Sequence, residues 1–240
     1  MLVLCVAAVL GLLSAGQAAP LTCEALVKPL ENTNLEMLLG KWMVIGDTSQ
    51  VPGFRTLGKL LYSSGWKEFT ATSDSNRVIY TEIYNTLGVC YSLRFNMTLQ
   101  DNVMNIASLD CPHVLLMTDC PDCLLIQSSC KVAGETFLGL ELLSRRREVT
   151  SAELDRFKKQ AECLSLHRPL VLSPQNKLCP HPDFPTDENT TTDLSDFLDD
   201  DDDDDDEELT TTVENFTKSF FDLARFLENV YFSIFPDSKK

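Results

Sequence analysis

The sequence predicts an all-β fold: an eight-stranded antiparallel up-and-down barrel with one C-terminal helix packed outside it, then an acidic disordered linker and a terminal amphipathic helix. Three observations carry that reading. Eight short runs have a hydrophobic period of two, a single capped amphipathic helix follows them, and the chain turns abruptly to acidic sequence after residue 182. Eight strands closed on themselves enclose room for one small ligand and leave no open sheet edge to aggregate.

The chain begins with a leader. Met1 to Leu13 is almost wholly apolar, and Ala15-Gly16-Gln17-Ala18-Ala19 offers small residues where a signal peptidase reads, which places cleavage after Ala18. The run is too short to cross roughly 30 Å of hydrocarbon comfortably. Residues 1–18 are therefore expected to be a signal peptide and the protein to be secreted and extracellular. Loss of Cys5 with the leader leaves eight cysteines: Cys23, Cys90, Cys111, Cys120, Cys123, Cys130, Cys163 and Cys179. An even number in an exported chain argues for disulfides, because the compartment is oxidising. The sequons at Asn96, Asn189 and Asn215 are candidate glycosylation sites and agree with export.

Residues 19–182 form the expected barrel domain, long enough to build one real core. The eight runs are Trp42 to Thr48, Lys59 to Thr70, Arg77 to Asn85, Val89 to Thr98, Asn102 to Leu109, Val114 to Thr118, Leu124 to Ser128 and Thr136 to Leu143. Each is rich in β-branched or aromatic residues and bounded by turn formers. Thr150-Ser151-Ala152-Glu153 then reads as a capping box, with Leu154, Phe157, Ala161 and Leu164 recurring at helical spacing. That apolar face needs a partner, and the outside of the barrel provides one. Pro169 to Leu172 reads as a further short strand.

Most of the charge sits in one place. Residues 183–208 hold fifteen acidic side chains and no Lys or Arg, ten of them consecutive from Asp199 to Glu208; without them the net −16 falls to −1. Such a tract repels itself, buries nothing and reads as a solvated tether. The nearly neutral body carries no basic stripe, which excludes nucleic acid as a partner. Beyond the tether, in 209–240, Val213, Phe216, Phe220, Leu223, Leu227, Val230 and Ile234 follow alternating steps of three and four. This amphipathic helix is expected to dock on the barrel or self-associate, with a lipid surface as the alternative.

Catalysis finds little support. His113, His167 and His181 form no H-x-x-x-H pair, no G-x-S-x-G occurs, and no Gly-rich loop precedes a helix. The histidines read as surface or loop residues, and neither cofactor nor metal is implied. Cys120-Pro121-Asp122-Cys123 could be a redox pair, but no βαβ pattern surrounds it, and a bridge pinning the loop fits the context better.

Alternation orients two strands. With a glycan on Asn96 facing out, Tyr91, Leu93, Phe95 and Met97 point into the barrel as candidate ligand contacts or core, and Cys90 points out. In the preceding run Tyr80, Glu82 and Tyr84 share a face. Turned inward they would make a site for a cationic guest. The cost of burying an unpaired carboxylate favours the opposite orientation, with Glu82 in water and Ile79 and Ile83 inside.

Gly40 and Trp42 near the mature N-terminus, Thr118-Asp119 midway and Arg145 after an apolar run resemble the three short motifs of the lipocalins. The Asp119 to Leu125 run, Leu143 to Arg147, Ala161 to Leu164 and Leu178-Cys179-Pro180 are similar to the branch holding apolipoprotein M and α-1-acid glycoprotein. The resemblance covers nearly the whole of residues 19–182, but neither the acidic linker nor the final helix, and implies carriage rather than enzymatic activity, of a small hydrophobic or amphipathic ligand, with a guanidinium toxin the guest of one member of that branch. It further implies that Trp42 closes one end of the barrel under Arg145, and that Cys90 pairs with Cys179 and Cys23 with Cys163. The remaining four cysteines allow three connectivities; Cys120 with Cys123 and Cys111 with Cys130 is the favoured one. The alternative function is an extracellular interaction protein working through the acidic tract and the final helix.

Overall fold

The computed structural model describes residues 22–51, 53–86, 88–106, 110–132 and 135–181. The leader, the acidic linker, the terminal helix, Asn189 and Asn215 lie outside the described residues. Two one-turn helices open the body, α1 (Cys23–Leu26) and α2 (Leu35–Leu38), each started by a side-chain cap: Thr22 accepts from the Ala25 N–H and Asn34 from the Met37 N–H. There follow β1 (Gly40–Ser49), α3 (Phe54–Leu61), β2 (Tyr62–Ala71), β3 (Arg77–Thr86), β4 (Val89–Gln100), β5 (Val103–Ile106), β6 (His113–Leu116), β7 (Cys123–Val132), β8 (Glu135–Ser144), α4 (Ser151–Cys163) and β9 (Leu170–Val171).

Every neighbouring strand from β2 to β8 pairs antiparallel, and β1 pairs with both β8 and β2, so eight strands close into a barrel. Closure is lopsided. Only Gly40 to Met43 of β1 reach β2, while Gly46 and Asp47 pair instead with Val171 and Leu170 of β9. The last short strand fills the place β2 leaves.

Two expectations from periodicity are corrected. The run expected as a strand from Lys59 begins at Tyr62, because Gly53, at φ +75°, starts a helix that the Tyr62 N–H closes on the Gly58 carbonyl. The run expected from Asn102 to Leu109 begins its strand at Val103, since Asp101 and Asn102 take left-handed turn conformations, and among the described residues the strand covers Val103–Ile106; residues 107–109 lie outside them.

The core has two layers. Inside the barrel, Trp42, Phe69, Val78, Tyr80, Phe95, Met97 and Leu143 pack together. Outside it, Ile45, Leu116, Leu125, Leu140 and Leu142 meet Phe157 and Ala161 of α4. The α4 capping box forms in full, Thr150 accepting from the Glu153 N–H while Glu153 accepts from the Thr150 N–H. Buried Gln160 donates to the Leu26 and Met117 carbonyls at 2.7 and 2.9 Å, tying the helix to both the N-terminal arm and the end of β6. Four disulfides add to these ties: Cys23–Cys163 joins that arm to α4, Cys90–Cys179 joins β4 to the C-terminal segment, Cys111–Cys130 and Cys120–Cys123 brace the ends of β7.

Candidate functional site

Gly40 and Trp42 start β1 at one end of the barrel. The Trp42 indole donates to the Leu38 carbonyl at 2.6 Å, and the Arg145 guanidinium lies 3.5 Å over its ring, donating to the Lys41 and Leu39 carbonyls at 2.8 and 2.6 Å. Gly40 sits at φ +88°, and a Cβ there would come 3.1 Å from the same guanidinium. Thr118 accepts from the Cys120 N–H, and Asp119 pairs with Arg156 of α4. These residues build the closed end and its attachment to the helix.

Along the strands from that end lies a cavity of about 270 Å³. Val44, Leu93 and Ile126 supply apolar wall, and Phe54 of α3 with Leu170 and Leu172 borders it on the side β9 occupies. The polar groups facing it include Asp47, Lys67, Glu82, Tyr84, His113 and Glu141, with Tyr62 and Ser128 beside them.

A single irregularity in β1 puts Asp47 there. Val44 opposes Leu143, yet Gly46 opposes Leu142, so one extra residue is inserted and the alternation inverts beyond it. Val44 packs inside and Ile45 outside against α4. With unbroken alternation Asp47 would share Ile45's outward face; the bulge brings it inward, directly opposite Glu141.

Lys67 organises the polar floor. Its ammonium reaches Glu82 at 2.6 Å, Glu141 at 2.7 Å and the Tyr80 hydroxyl at 2.6 Å, while Tyr80 in turn donates to Glu82. Register explains the meeting: Lys67 opposes Glu82, and Tyr80 opposes Phe69 two residues along the same face. Gly65 lies opposite Tyr84, where a Cβ would come within 2.6 Å of the ring, so glycine leaves space for that phenol.

The electrostatics follow from burial and this one cation. Burial alone would lower Lys67, but Glu141 and Glu82 outweigh it and hold the ammonium well above the usual lysine range. Glu82 resists burial through the Lys67 charge and the hydrogen bonds of Lys67 and Tyr80, and ends below the ordinary glutamate value. Glu141 is raised by burial against the pull of Lys67. Asp47 is raised well above the usual range, by burial first and then by the Glu141 charge. Burial and the neighbouring Lys67 push His113 down to about 4, so it is neutral at physiological pH.

The structure brings together some residues marked in the sequence and separates others. Leu93, Glu82 and Tyr84 face the cavity. Tyr80 lies beneath it, bonded to Lys67, and Phe95 and Met97 are buried in the inner core; of Tyr91, on β4, the described part is backbone. The orientation favoured for β3 is reversed. Glu82 points inward, and Ile83 lies outside with Trp66 and Cys179. The objection was the cost of an unpaired carboxylate, and Lys67 supplies the partner. His113 is likewise a cavity residue on β6, not a surface one, whereas His167 and His181 are exposed. Asn96 stands on β4 opposite Ile79, on the face away from Phe95.

Asp47, Lys67, His113 and Glu141 were not marked. One signal could have found Lys67: a turn centred on Asp74 and Ser75 places residues 67 and 82 opposite each other, pairing a lysine with a glutamate. Asp47 had none, because a bulge leaves no periodic trace. A cluster of ligating types at Cys120, Asp122 and Cys123 has its groups engaged elsewhere, the sulfurs in their disulfide and the carboxylate by Arg146 at 2.6 and 2.8 Å.

A closed antiparallel eight-stranded barrel with a helix outside and a chamber within is a lipocalin-like architecture, and solved structures agree. The siderocalin Ex-FABP, described as functioning through dual ligand specificities, matches with a TM-score of 0.52 at 17% identity over 58% of this chain and 96% of its own. A second siderocalin, described by a dual ligand binding mode, gives 0.52 at 17% over 60% and 94%. Lipocalin 12 from rat epididymis gives 0.55 at 15% over 64% and 93%. At these identities the likeness is one of fold. No protein-family model matches the sequence, and no curated protein matches it.

Proposed function

We propose that this protein is a secreted carrier that binds, and transports or sequesters, a small hydrophobic or amphipathic molecule inside the barrel. The observation that carries the reading is the chamber itself: about 270 Å³, walled by Val44, Leu93 and Ile126 and floored by a few fixed polar groups. That combination suits capture by burial of apolar surface, with the polar groups selecting among guests. The leader, the four disulfides and the sequons support export. Ligand binding by the similar siderocalins supports carriage. The finer reading, a guanidinium toxin, comes from the resemblance of residues 118–180 to the saxitoxin and tetrodotoxin-binding protein.

Native mass spectrometry of the protein from culture medium, followed by titration with panels of apolar, amphipathic and cationic small molecules, tests the carrier. Retained or titratable ligand at one site per chain is the expected result. Absence of any bound small molecule across all three panels would sink it. Under the alternative, an interaction protein acting through its acidic tract, truncation after Pro182 would abolish activity; a carrier keeps its ligand after that truncation.

A further inference from the structure

The chamber holds three carboxylates, Asp47, Glu82 and Glu141, and one lysine. Lys67 is fully committed, to Glu82, Glu141 and Tyr80. Asp47 is left with no side-chain partner among the described residues, directly opposite a second carboxylate. Two further polar atoms next to the chamber are buried with no hydrogen-bond partner among the described residues, Glu141 Oε1 and His113 Nδ1. Native interiors rarely leave such atoms unsatisfied, so an unpaired acceptor beside an empty volume marks what belongs there.

We propose, building on the carrier reading, that Asp47 with Glu141 seats the positively charged head of the guest, a protonated amine or a guanidinium whose apolar part lies along Val44, Leu93 and Ile126. An anionic head would add a negative charge beside three carboxylates that one lysine, already committed, balances only in part. A neutral apolar guest would leave Asp47 with only the Thr48 backbone and the buried Glu141 oxygen without a donor, whereas an ammonium brings three donors and a guanidinium five. Glu82 is not the seat, because Lys67 already meets its charge. The nearby Tyr62 and Tyr84 rings, 5.2 Å apart, add π faces suited to a cation.

A cation at this seat competes with a proton. Burial and the facing Glu141 charge raise Asp47 well above the usual aspartate range, and the guest's charge favours the ionised acid. The groups facing Asp47 are Glu141 on β8, Lys67 on β2, Glu82 and Tyr84 on β3 and His113 on β6. Of these, Lys67 stays charged and His113 neutral between pH 5 and 8, so the competition belongs to the Asp47–Glu141 pair.

The test compares decylamine with decanol on the full-length secreted protein by calorimetric titration between pH 5 and 8. An alkylammonium, like a lysine side chain, stays charged up to about pH 10. The amine is expected to bind at least tenfold more tightly than the alcohol at pH 8. Its affinity falls on acidification, because protons compete for the same carboxylates. Asp47→Asn lowers the amine-to-alcohol affinity ratio at least tenfold. Should that variant misfold, the pH comparison in the unaltered protein decides alone. Decanol binding with no preference for the amine overturns the cation seat and leaves the carrier reading standing. Binding of neither compound overturns both.

Discussion

Lys67 is a lysine that the barrel cannot lose without exposing two carboxylates to each other in a nearly dry space. Replacing it with methionine keeps the stem's volume and removes the cation that both Glu82 and Glu141 meet. Breaking a buried pair by removing one partner costs about 3–5 kcal/mol. Lys67→Met is therefore expected to lose that much stability in denaturant unfolding at pH 7, and to recover part of it at pH 4 as the stranded acids protonate. A loss under about 1 kcal/mol would show that the cluster is solvated. Asp47 acts in the opposite sense. Its folded pKa lies above the unfolded value near 3.9, so the folded state holds a proton the unfolded chain releases. The stability linked to it is present at low pH and disappears as pH rises through the folded value. Asp47→Asn is thus expected to raise the melting temperature relative to the parent, by more at pH 8 than at pH 5.

At the scale of elements, legibility followed locality. The α4 helix could be read to its cap, because the Thr150–Glu153 box and the Leu154, Phe157, Ala161 spacing are contained within a few turns. Thr150→Ala should cost about 1 kcal/mol in chemical unfolding. Gly40, Trp42 and Arg145 were legible only through resemblance, since a packing of residues more than a hundred positions apart leaves no periodic mark. Gly40→Ala is expected to cost about 1–2 kcal/mol from the left-handed backbone alone, with an added displacement of Arg145 visible as a change in Trp42 fluorescence. The helix α3 was hidden because its last residues run without a break into the β2 pattern, and only Gly53 upstream starts it as a helix. In β3 the pattern supplied the two faces correctly but not which was inner. The choice turned on whether Glu82 had a partner, and that partner stands on another strand.

For the whole molecule, the barrel relies on ties from outside its sheet. The Cys90–Cys179 bridge encloses β4 to β9 and holds the segment whose Leu172 borders the chamber. Cys90→Ser with Cys179→Ser removes a long-loop cross-link, and a loss of about 2–5 kcal/mol is expected, read as the midpoint shift between oxidised parent and double variant. The same variant should weaken ligand binding, because the rim carrying Leu170 and Leu172 is then restrained only by its short pairing to β1. The architecture was foreseeable from counting runs and closing them. The chemistry of its interior was not, because it depends on the register of three strands at once.

The inserted residue in β1 has a consequence for how such a container diversifies. Inserting one further amino acid between Gly46 and Asp47 would shift the register by one, turn the acid to the exterior and hand its place opposite Glu141 to the new residue, while the hoop of strands stayed closed. Preference for charged or greasy cargo in this scaffold is therefore governed by the length of a single segment as much as by the identity of any residue in it.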